Sequence, residues 1–479
     1  MNEFLSKAYL DRWNADEQAR IDADIEQYRK ADAKVSLGAP AGANVKIEQV
    51  SHAFRFGAHL FNFNQLGSTE RNARHKALWN GTFADGAIFN SGTIAFYWRL
   101  FEPVEGKMRF DEEETDTEAW WNACKEPKVE HFWRRPPSEP CVRFCEEKGV
   151  WRHGHPLVWS NTQWHYPDWL MAKLPNDLLG EMLTDDRSGV SIMMQPMETV
   201  LKRLPADFPA QVESALCRRI DAITARYGER MNSWDVCNES AVDWANGLLV
   251  PDAPLTRSYR YSWMPGDYCH WAFRECMRTL PAKSVLSIND YKLEACYAAQ
   301  VNDQLSRGDK IDLQGMQMHL FNPADCEAIA QGSEKRSPAQ VRSQIAAAHA
   351  RPGLPIHLSE ITISAPGGDE RGEAIQAAIA RNLYRLWFSL PDMAAITWWN
   401  VVDDCGAPGE PSVSGIFHRD MTPKKSFFAL DELINREWRT KAEVVADADG
   451  AVSFRGFKGD YRLTWHDATG AAHEAAARL

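Results

Sequence analysis

The sequence contains no apolar run of roughly 18 residues, the length that a membrane-spanning helix requires. Its first residues, MNEFLSKAYL, also lack the apolar centre of a secretory signal. We therefore expect a soluble protein that has no membrane partner. A secreted or periplasmic location would require a leader that was removed before residue 1.

An excess of basic residues is also missing, because 54 Lys and Arg stand against 66 Asp and Glu and the net charge is -12. This balance repels phosphate backbones, so we do not expect a nucleic-acid partner. The 10 cysteines form no CxxC pair of the kind that holds zinc or performs redox chemistry. We expect mostly reduced, buried thiols, and nothing in the sequence predicts an oligomeric state.

The composition itself is that of an ordinary globular protein. Of the 479 residues, 44% are hydrophobic and 25% are charged, so a large core can form. This length fits one large α/β barrel with attachments. The 19 tryptophans are unusual. Because indole faces stack on sugar rings as well as filling cores, they suggest a carbohydrate ligand.

From residue 53 onward, short apolar strands alternate with long amphipathic stretches, which is typical of parallel βαβ units. Apolar spacing predicts linking helices over 211–227 and 374–390. The candidate strands cover 54–61, 87–95, 150–159, 231–237, 284–289, 311–319, 355–363 and 394–402. Their number predicts a closed (β/α)8 barrel, the TIM barrel of the α/β class.

The sequence pattern divides the chain into three parts. Residues 1–52 are expected to form a helix and a β-hairpin, with strands at 34–37 and 45–50, and residues 53–430 the barrel. Residues 431–479 read as a small β appendage with strands at 442–446, 452–457 and 461–465, which we expect to pair with the N-terminal hairpin. The polar segment 112–140 predicts a long loop over one mouth of the barrel.

Two predicted strands finish with a carboxylate. The fourth ends in Asn238 and Glu239, and the seventh ends in Ser359 and Glu360. Strand C-terminal ends build the active site of such a barrel. Two carboxylates about 5 to 5.5 Å apart across one mouth can serve as nucleophile and acid/base, which retains anomeric configuration. Either glutamate alone is more often a solvated residue or half of an ion pair.

The sequence here resembles glycoside hydrolase family 10, the xylanase family. Residues 234–239, WDVCNE, are similar to its WDVxNE segment, which implies Glu239 as acid/base and Asn238 as the amide that holds a sugar hydroxyl. Residues 358–363, LSEITI, are similar to its ITELDI segment, which implies Glu360 as nucleophile. The resemblance also implies a polysaccharide or oligosaccharide substrate and no cofactor or catalytic metal.

Further segments carry the same resemblance in the expected order. HGHPLVW (153–159) is similar to RGHTLVW, which implies sugar contacts from His155 and Trp159. GMQMH (315–319) is similar to GxQxH, which implies that Gln317 contacts the sugar and that His319 orients the nucleophile. Trp399, in TWWNVVD, matches the tryptophan after strand eight that forms a hydrophobic floor.

The sequence also departs from the family pattern. The Glu-Asn-x-x-Lys-Trp run of strand two is absent, and the chain has TIAFYWR (93–99) instead. Arg99 is expected to replace the charge of the lysine, and Trp98 to add a stacking face. Thr362 stands where the family has Asp, and His153 replaces Arg. A decorated or different β-linked glycan would therefore fit better than plain xylan.

Two alternatives remain open. A metal-dependent amidohydrolase uses an HxH pair, two further histidines and an aspartate, for which His153, His155, His319, His357 and Asp403 are available. That class, however, carries HxH on the first strand, whereas this pair is on the third. A barrel that binds glycans without cutting them is the other alternative, favoured by the altered second strand.

Overall fold

The computed structural model describes residues 2–111, 135–178, 197–260, 262–407 and 409–479. Its strands are β1 (Lys30–Ser36), β2 (Asn44–Gln49), β3 (Arg55–His59), β4 (Ser91–Ala95), β5 (Trp151–His155), β6 (Val158–Trp159), β7 (Ser233–Asn238), β8 (Thr256–Arg257), β9 (Trp263–Met264), β10 (Val285–Asp290), β11 (Leu313–Leu320), β12 (Ile356–Ile363), β13 (Met393–Trp398), β14 (Lys441–Val445), β15 (Ala451–Phe457), β16 (Asp460–His466) and β17 (Ala472–Arg478).

Helices alternate with these strands. The described α-helices are Lys7–Arg12, Ala15–Arg29, Thr69–Lys76, Trp98–Phe101, Ser138–Glu147, Asp168–Met171, Met197–Leu201, Phe208–Tyr227, Ala241–Ala245, Tyr268–Thr279, Ala295–Ser306, Pro323–Ala330, Pro338–Ala348, Glu370–Ser389 and Lys425–Asp431. Short 3-10 turns cover Asn2–Phe4 and Pro366–Gly368, and a π-helical turn covers Glu432–Glu437.

Eight parallel strands close into a barrel in the order β3-β4-β5-β7-β10-β11-β12-β13, and β13 pairs with β3 to complete the ring. The predicted (β/α)8 barrel is therefore confirmed. The apolar spacing explains the linking helices: in Phe208–Tyr227, Val212, Leu216, Ile220 and Ile223 are all buried on one face. Helix Glu370–Ser389 begins at Asp369, whose carboxylate accepts from the Gly372 amide at 2.8 Å.

The strands outside the barrel join the two ends of the sequence. β1 pairs with β15, and β2 lies between β14 and β16 in an antiparallel sheet that ends with β17. The predicted pairing of N-terminal and C-terminal strands is present, but the predicted N-terminal hairpin is wrong. β1 and β2 do not pair because both edges of β2 are bonded to C-terminal strands. β17 was not predicted from the sequence.

The N-terminal end of the barrel is closed by aromatic side chains. The Trp438 ring stacks on Phe388, with centroids 4.1 Å apart, and lies 5.6 Å from Phe56. The buried ring of His52 lies among them, with Nε2 2.9 Å from the Trp438 carbonyl oxygen. Burial lowers the pKa of His52 to about 4, so this histidine is neutral near pH 7.

The predicted loop over 112–140 falls mainly on residues 112–134, outside the described residues. From Ser138 onward the segment is helical instead. Among the described residues, no helix combines the length and the apolar character needed to cross a bilayer.

Candidate active site

A cavity of about 460 Å³ lies at the carboxyl ends of the barrel strands. Both Glu239 and Glu360 line it. Six other residues predicted for the site also line it: His155, Trp159, Asn238, Gln317, His319 and Trp399. The strand ends thus converge as expected from parallel strands that share one mouth.

Glu239 follows directly after β7 and adopts a left-handed backbone, with φ of 55°. This conformation is uncommon for a residue other than glycine and is held by the Glu239 amide, which donates to the Asn289 carbonyl oxygen at 2.8 Å. The turn places Glu239 and its neighbour Asn238 at the same cavity. Oε2 of Glu239 accepts from the Trp159 indole at 3.1 Å, and the Arg260 guanidinium lies 4.0 Å away.

Glu360 reaches the cavity because β12 contains a bulge. Its register against β11 shifts between Met316 and Gln317, leaving Ser359 as the extra residue. Ser359 and Glu360 consequently both contact the side chain of Asn289, which consecutive residues of a regular strand cannot do. Glu360 accepts from Asn289 at 2.8 Å and from Gln317 at 3.0 Å, and its other oxygen lies 3.2 Å from His319 Nε2.

Asn289 supports several of these groups from the end of β10. Its Nδ2 donates to Glu360 and, also at 2.8 Å, to Asn238 Oδ1. Gly315 on the neighbouring strand leaves room for it, since a Cβ there would lie 2.6 Å from Asn289 Oδ1. Because Asn289 donates to Oδ1 of Asn238, the Nδ2 of Asn238 is left as the group that can donate to a ligand in the cavity that Asn238 lines.

One amide nitrogen joins the two glutamates. Gln317 Nε2 lies 3.2 Å from Glu239 Oε1 and 3.0 Å from Glu360 Oε1. The Oε1 atoms of the two glutamates therefore cannot be farther apart than these two contacts combined. Two carboxylates held this close in a buried site do not readily ionise together.

The electrostatics of the pair follow from burial. Burial raises the pKa of Glu239 to about 7, and the negative charge of Glu360 adds to the rise. Burial also raises the pKa of Glu360 to about 7, while His155 and the Asn289 hydrogen bond oppose that rise. The larger number of donors around Glu360 makes it the better site for the negative charge, which leaves the proton on Glu239.

His319 is a neutral histidine between Glu360 and Thr362. Burial lowers its pKa to about 3. A neutral ring donates from only one nitrogen, and an ionised Glu360 can only accept, so the hydrogen belongs on Nε2. Nδ1, which lies 2.8 Å from the Thr362 hydroxyl oxygen, then accepts from that hydroxyl. The Phe321 ring stacks on the imidazole, with centroids 4.1 Å apart, and fixes its plane.

Beneath the cavity, two histidines share Asp235. His153 Nε2 lies 2.9 Å and His155 Nδ1 2.7 Å from the same carboxylate oxygen. Although burial alone would raise it, the two histidines hold the pKa of Asp235 well below its usual range. Nε2 of His155, the other ring nitrogen, lies 3.6 Å from Glu360.

Trp399 forms one wall of the cavity and is held by a third carboxylate. Its indole donates to Glu410 Oε1 at 2.8 Å, while Glu410 Oε2 accepts from Asn400 at 2.7 Å and from the Ala407 amide at 3.0 Å. Glu410 itself lines the cavity. No periodic pattern marks Glu410 in the sequence, because it lies in a loop rich in Gly and Pro.

The structure does not bring Trp98 and Arg99 to the cavity. Trp98 is fully buried and its indole donates to Glu102 at 2.6 Å. Arg99 Nε lies 3.1 Å from Asp168, and its Nη1 donates to the Gln163 carbonyl at 2.8 Å. A helical turn begins at Trp98 and rotates both side chains away, so the preceding residue, Tyr97, lines the cavity instead.

The five residues of the metal-site alternative do not converge on one point. His153 and His155 bind Asp235, His357 Nε2 lies 2.7 Å from the Thr397 hydroxyl, and Asp403 pairs with Lys424 at 3.1 Å. Within the part of the chain that the structure describes, no group of three or more His, Cys, Asp or Glu residues has the arrangement of a metal site.

Several cavity residues were not predicted from the sequence. Tyr97, Arg135, Arg260, Tyr291 and Arg336 all line the cavity. Tyr291 belongs to the Asn-Asp-Tyr motif that follows the fifth strand, which could have indicated it. The arginines come from loops, where no periodicity marks a side chain as inward-facing.

Comparison with known proteins gives a consistent result. The family model for glycosyl hydrolase family 10 matches residues 115–433. Endo-1,4-beta-xylanase A of Thermotoga maritima is 25% identical over 312 residues, which are 61% of this chain and 24% of that protein. Endo-1,4-beta-xylanase B of Paenibacillus barcinonensis is 23% identical over 326 residues, which are 63% of this chain and 82% of that protein. The chain thus spans about a quarter of the length of the Thermotoga relative.

Among solved structures, native xylanase 10B from Thermotoga maritima matches with a TM-score of 0.49. The sequences are 19% identical, and the match covers 80% of this chain and 96% of that one.

Proposed function

Because the chain belongs to glycosyl hydrolase family 10, we propose that it hydrolyses xylan, or a decorated or related β-linked glycan, by double displacement with retention of configuration. Glu360 is the nucleophile and Glu239 is the acid/base. The names of the relatives, both endo-1,4-beta-xylanases, support the substrate class.

The observation that carries the proposal is the shared contact of Gln317 with both glutamates. Its two distances, 3.2 and 3.0 Å, together fall below the separation of about 6.5 Å at which the carboxyl pairs of inverting enzymes begin. An inverting enzyme needs that wider gap for a water molecule. The short gap supports direct attack by one carboxylate on the sugar.

The different surroundings of the two glutamates support the division of roles. Glu360 accepts from Asn289 and Gln317 and faces His319 Nε2, so its ionised form is stabilised more than that of Glu239. Among the residues that the structure describes, only the Trp159 indole and Gln317 lie within hydrogen-bond distance of the Glu239 carboxyl group. At a pH near 7, Glu360 is therefore the ionised partner, and Glu239 carries the proton that the departing oxygen needs.

In the first step a Glu360 oxygen bonds to the anomeric carbon, the bond from that carbon to the leaving oxygen breaks, and Glu239 gives its proton to the leaving oxygen. In the second step Glu239 accepts a proton from water, whose oxygen displaces Glu360 from the anomeric carbon. The hydrogen on His319 Nε2 orients the nucleophile. Asn238 Nδ2, Gln317 and His155 hold sugar hydroxyls, and Trp159 and Trp399 provide apolar walls.

The test is the configuration of the first product. Incubation of the protein with a panel of xylans and other β-linked glycans, followed by proton NMR, is expected to show the β-anomer before mutarotation. Initial formation of the α-anomer would contradict double displacement. Loss of about 10³-fold in rate is expected for Glu239→Gln and for Glu360→Gln, whereas Glu213→Gln, an exposed residue on the outer helix Phe208–Tyr227, should leave the rate unchanged.

The same variants test the glycan-binding alternative. A barrel that only binds glycan would release no product from any polysaccharide of the panel, and its affinity for that glycan would be similar with either Gln variant. That outcome would replace hydrolysis with binding as the function of this cavity.

A further inference from the structure

Two cavity arginines lie on loops that follow two barrel strands separated by a single strand. Arg260 belongs to the connection between β7 and helix Tyr268–Thr279, and Arg336 to the connection that follows β11. β10 lies between these two strands in the barrel, and Tyr291 follows it. The three residues line the cavity from three adjacent loops, the first of which follows β7, the strand that leads into Glu239.

Arg336 is a fixed cation that has no carboxylate partner among the described residues. Its Nη1 donates to the Gln344 side chain at 2.7 Å and its Nη2 to the His319 carbonyl at 3.4 Å, while its buried Nε has no hydrogen-bond partner. Burial lowers the pKa of Arg336 to about 10, which still leaves it charged. Its backbone is left-handed, with φ of 57°. A buried cation in such a conformation is expected to have a specific use.

Arg260 is a cation at the rim. Its guanidinium lies between two tyrosine rings, 5.9 Å from Tyr259 and 5.7 Å from Tyr291. The carboxylate nearest to it is Glu239 at 4.0 Å, beyond hydrogen-bond distance. When Glu239 holds its proton, as the first step requires, the charge of Arg260 has no ionised partner within 4.0 Å in the described part of the chain.

These cations are unexpected beside a neutral glycan. Xylose units offer only hydroxyl and ether oxygens, for which neutral donors suffice, and the chain as a whole carries a net charge of -12. A guanidinium presents parallel N–H groups that match the two oxygens of a carboxylate. Two such groups on one side of a cavity therefore favour an anionic ligand there.

We propose that Arg260 and Arg336 bind the carboxylate of a uronic acid carried on the leaving-group side of the cleaved bond. The inference rests on the proposed function, since Glu239 as the acid defines that side. The preferred substrate is then an acidic glycan, in which a β-linked backbone carries a uronic-acid unit next to the cleavage site.

The test compares three matched oligosaccharides: a linear β-1,4-xylo-oligosaccharide, the same chain with a glucuronic-acid branch, and the branched chain with its carboxyl group reduced to an alcohol. The ratio of kcat/KM for the acidic branch to that for the reduced branch isolates the carboxylate. We expect this ratio to be about tenfold or more in the wild type, as suits a hydrogen bond to a charged group.

Variants assign the ratio to the two arginines. Arg260→Gln and Arg336→Gln should each lower it about tenfold, Arg260→Lys should lower it less, and Arg274→Gln, an exposed arginine on helix Tyr268–Thr279, should not change it. A ratio near one in the wild type, or an unchanged ratio in both Gln variants, would overturn the proposal. Because Arg336 is buried, Arg260→Gln, at a side chain that is 41% exposed, keeps the test decisive if Arg336→Gln does not fold.

If the proposed hydrolysis is wrong, the experiment gives a different result from the one expected if only carboxylate binding is wrong. If the wild type cleaved none of the three oligosaccharides, hydrolysis would be wrong, and calorimetry with the Glu360→Gln protein would then decide the present inference. Tighter binding of the acidic than of the reduced branch would support it, and equal binding would overturn it.

Discussion

The two ends of the barrel are built from opposite kinds of side chain. At the carboxyl ends of the strands, three carboxylates share one cavity, Glu239 has a left-handed backbone, and β12 is bulged. At the opposite end, Trp438 stacks on Phe388 and the buried histidine is neutral. Glutamates with raised pKa values and a left-handed residue thus lie at the cavity end, while the other end contains well-packed aromatic rings.

This difference indicates how the molecule divides its tasks. Buried carboxylates with raised pKa values destabilise the folded state, and left-handed residues other than glycine add strain. Such features persist only where the rest of the structure holds them in place. We therefore expect substitutions at the cavity to change activity more than stability, and substitutions at the aromatic end to do the reverse.

The largest effect is expected for Glu360→Gln. Its kcat should fall about 10³-fold or more, because the nucleophile is lost. Folding should not suffer: Glu360 has a pKa of about 7 in the folded chain against 4.5 as its ordinary value, so its ionisation destabilises the folded state as pH rises from 4.5 through 7. Urea unfolding at pH 8 should give a free energy of unfolding equal to or above that of the wild type. A clear fall would remove the contrast between the two ends.

Trp438→Ala is expected to lower stability and to leave activity nearly unchanged. This residue is 2% exposed and stacks on Phe388, so its truncation should lower the free energy of unfolding by about 3 to 5 kcal/mol. Trp438→Phe should lower the free energy of unfolding by a smaller amount. The kcat of the remaining folded protein should stay near the wild-type value, as measured below the unfolding transition. A large fall in kcat would mean that the two ends are coupled.

Protonation of His52 is expected to change the free energy of unfolding by about 3 kcal/mol as the pH falls. Its pKa is about 4 when folded and 6.5 ordinarily, so the unfolded chain takes up a proton first as pH falls. The stabilisation is fully present above pH 6.5 and is lost as pH falls toward 4. Unfolding of His52→Gln across this range should show a shallower loss of stability than the wild type, and an identical slope would contradict the prediction.

The smallest effect is expected for Thr362→Val. The variant cannot donate to His319 Nδ1, so the imidazole is free to adopt the tautomer that presents no hydrogen to Glu360. Loss of one such hydrogen bond corresponds to a fall of about tenfold in kcat. Thr362→Ser, which keeps the hydroxyl, should restore most of the activity. Nitrogen NMR of His319 should show mixed tautomers in the Val variant alone, and equal kcat in all three proteins would sink the idea.

The barrel and its mouth could be predicted from the sequence because both depend on local pattern. Alternating strands and helices indicate parallel units, and the carboxyl ends of parallel strands must meet. Asn238, Glu239 and Glu360 therefore converge although they are far apart in sequence. The resemblance to family 10 is confirmed by the family model, whereas the catalytic roles and the division at residues 52 and 430 stay predictions.

The errors have physical causes as well. A period of two residues predicts a strand but not its partner, so β1 and β2 were paired with each other rather than with C-terminal strands. Trp98 and Arg99 were expected at the cavity because they stand near the place of the family's Glu-Asn-x-x-Lys-Trp run, but a helical turn begins there and redirects them. Arg260, Arg336 and Glu410 lie in irregular connections, where sequence alone gives no direction for a side chain.

The pairing of β1 and β2 with β14, β15 and β16 also bears on the order of assembly. During synthesis the first two strands leave the ribosome long before any of their partners exist. Until the last segment emerges, their hydrogen-bonding edges have to be satisfied by water or shielded by a chaperone. We therefore expect the pairing of β1 and β2 with the C-terminal strands to form late in folding. A polypeptide that ends after the barrel would expose unpaired strand edges, which promote aggregation.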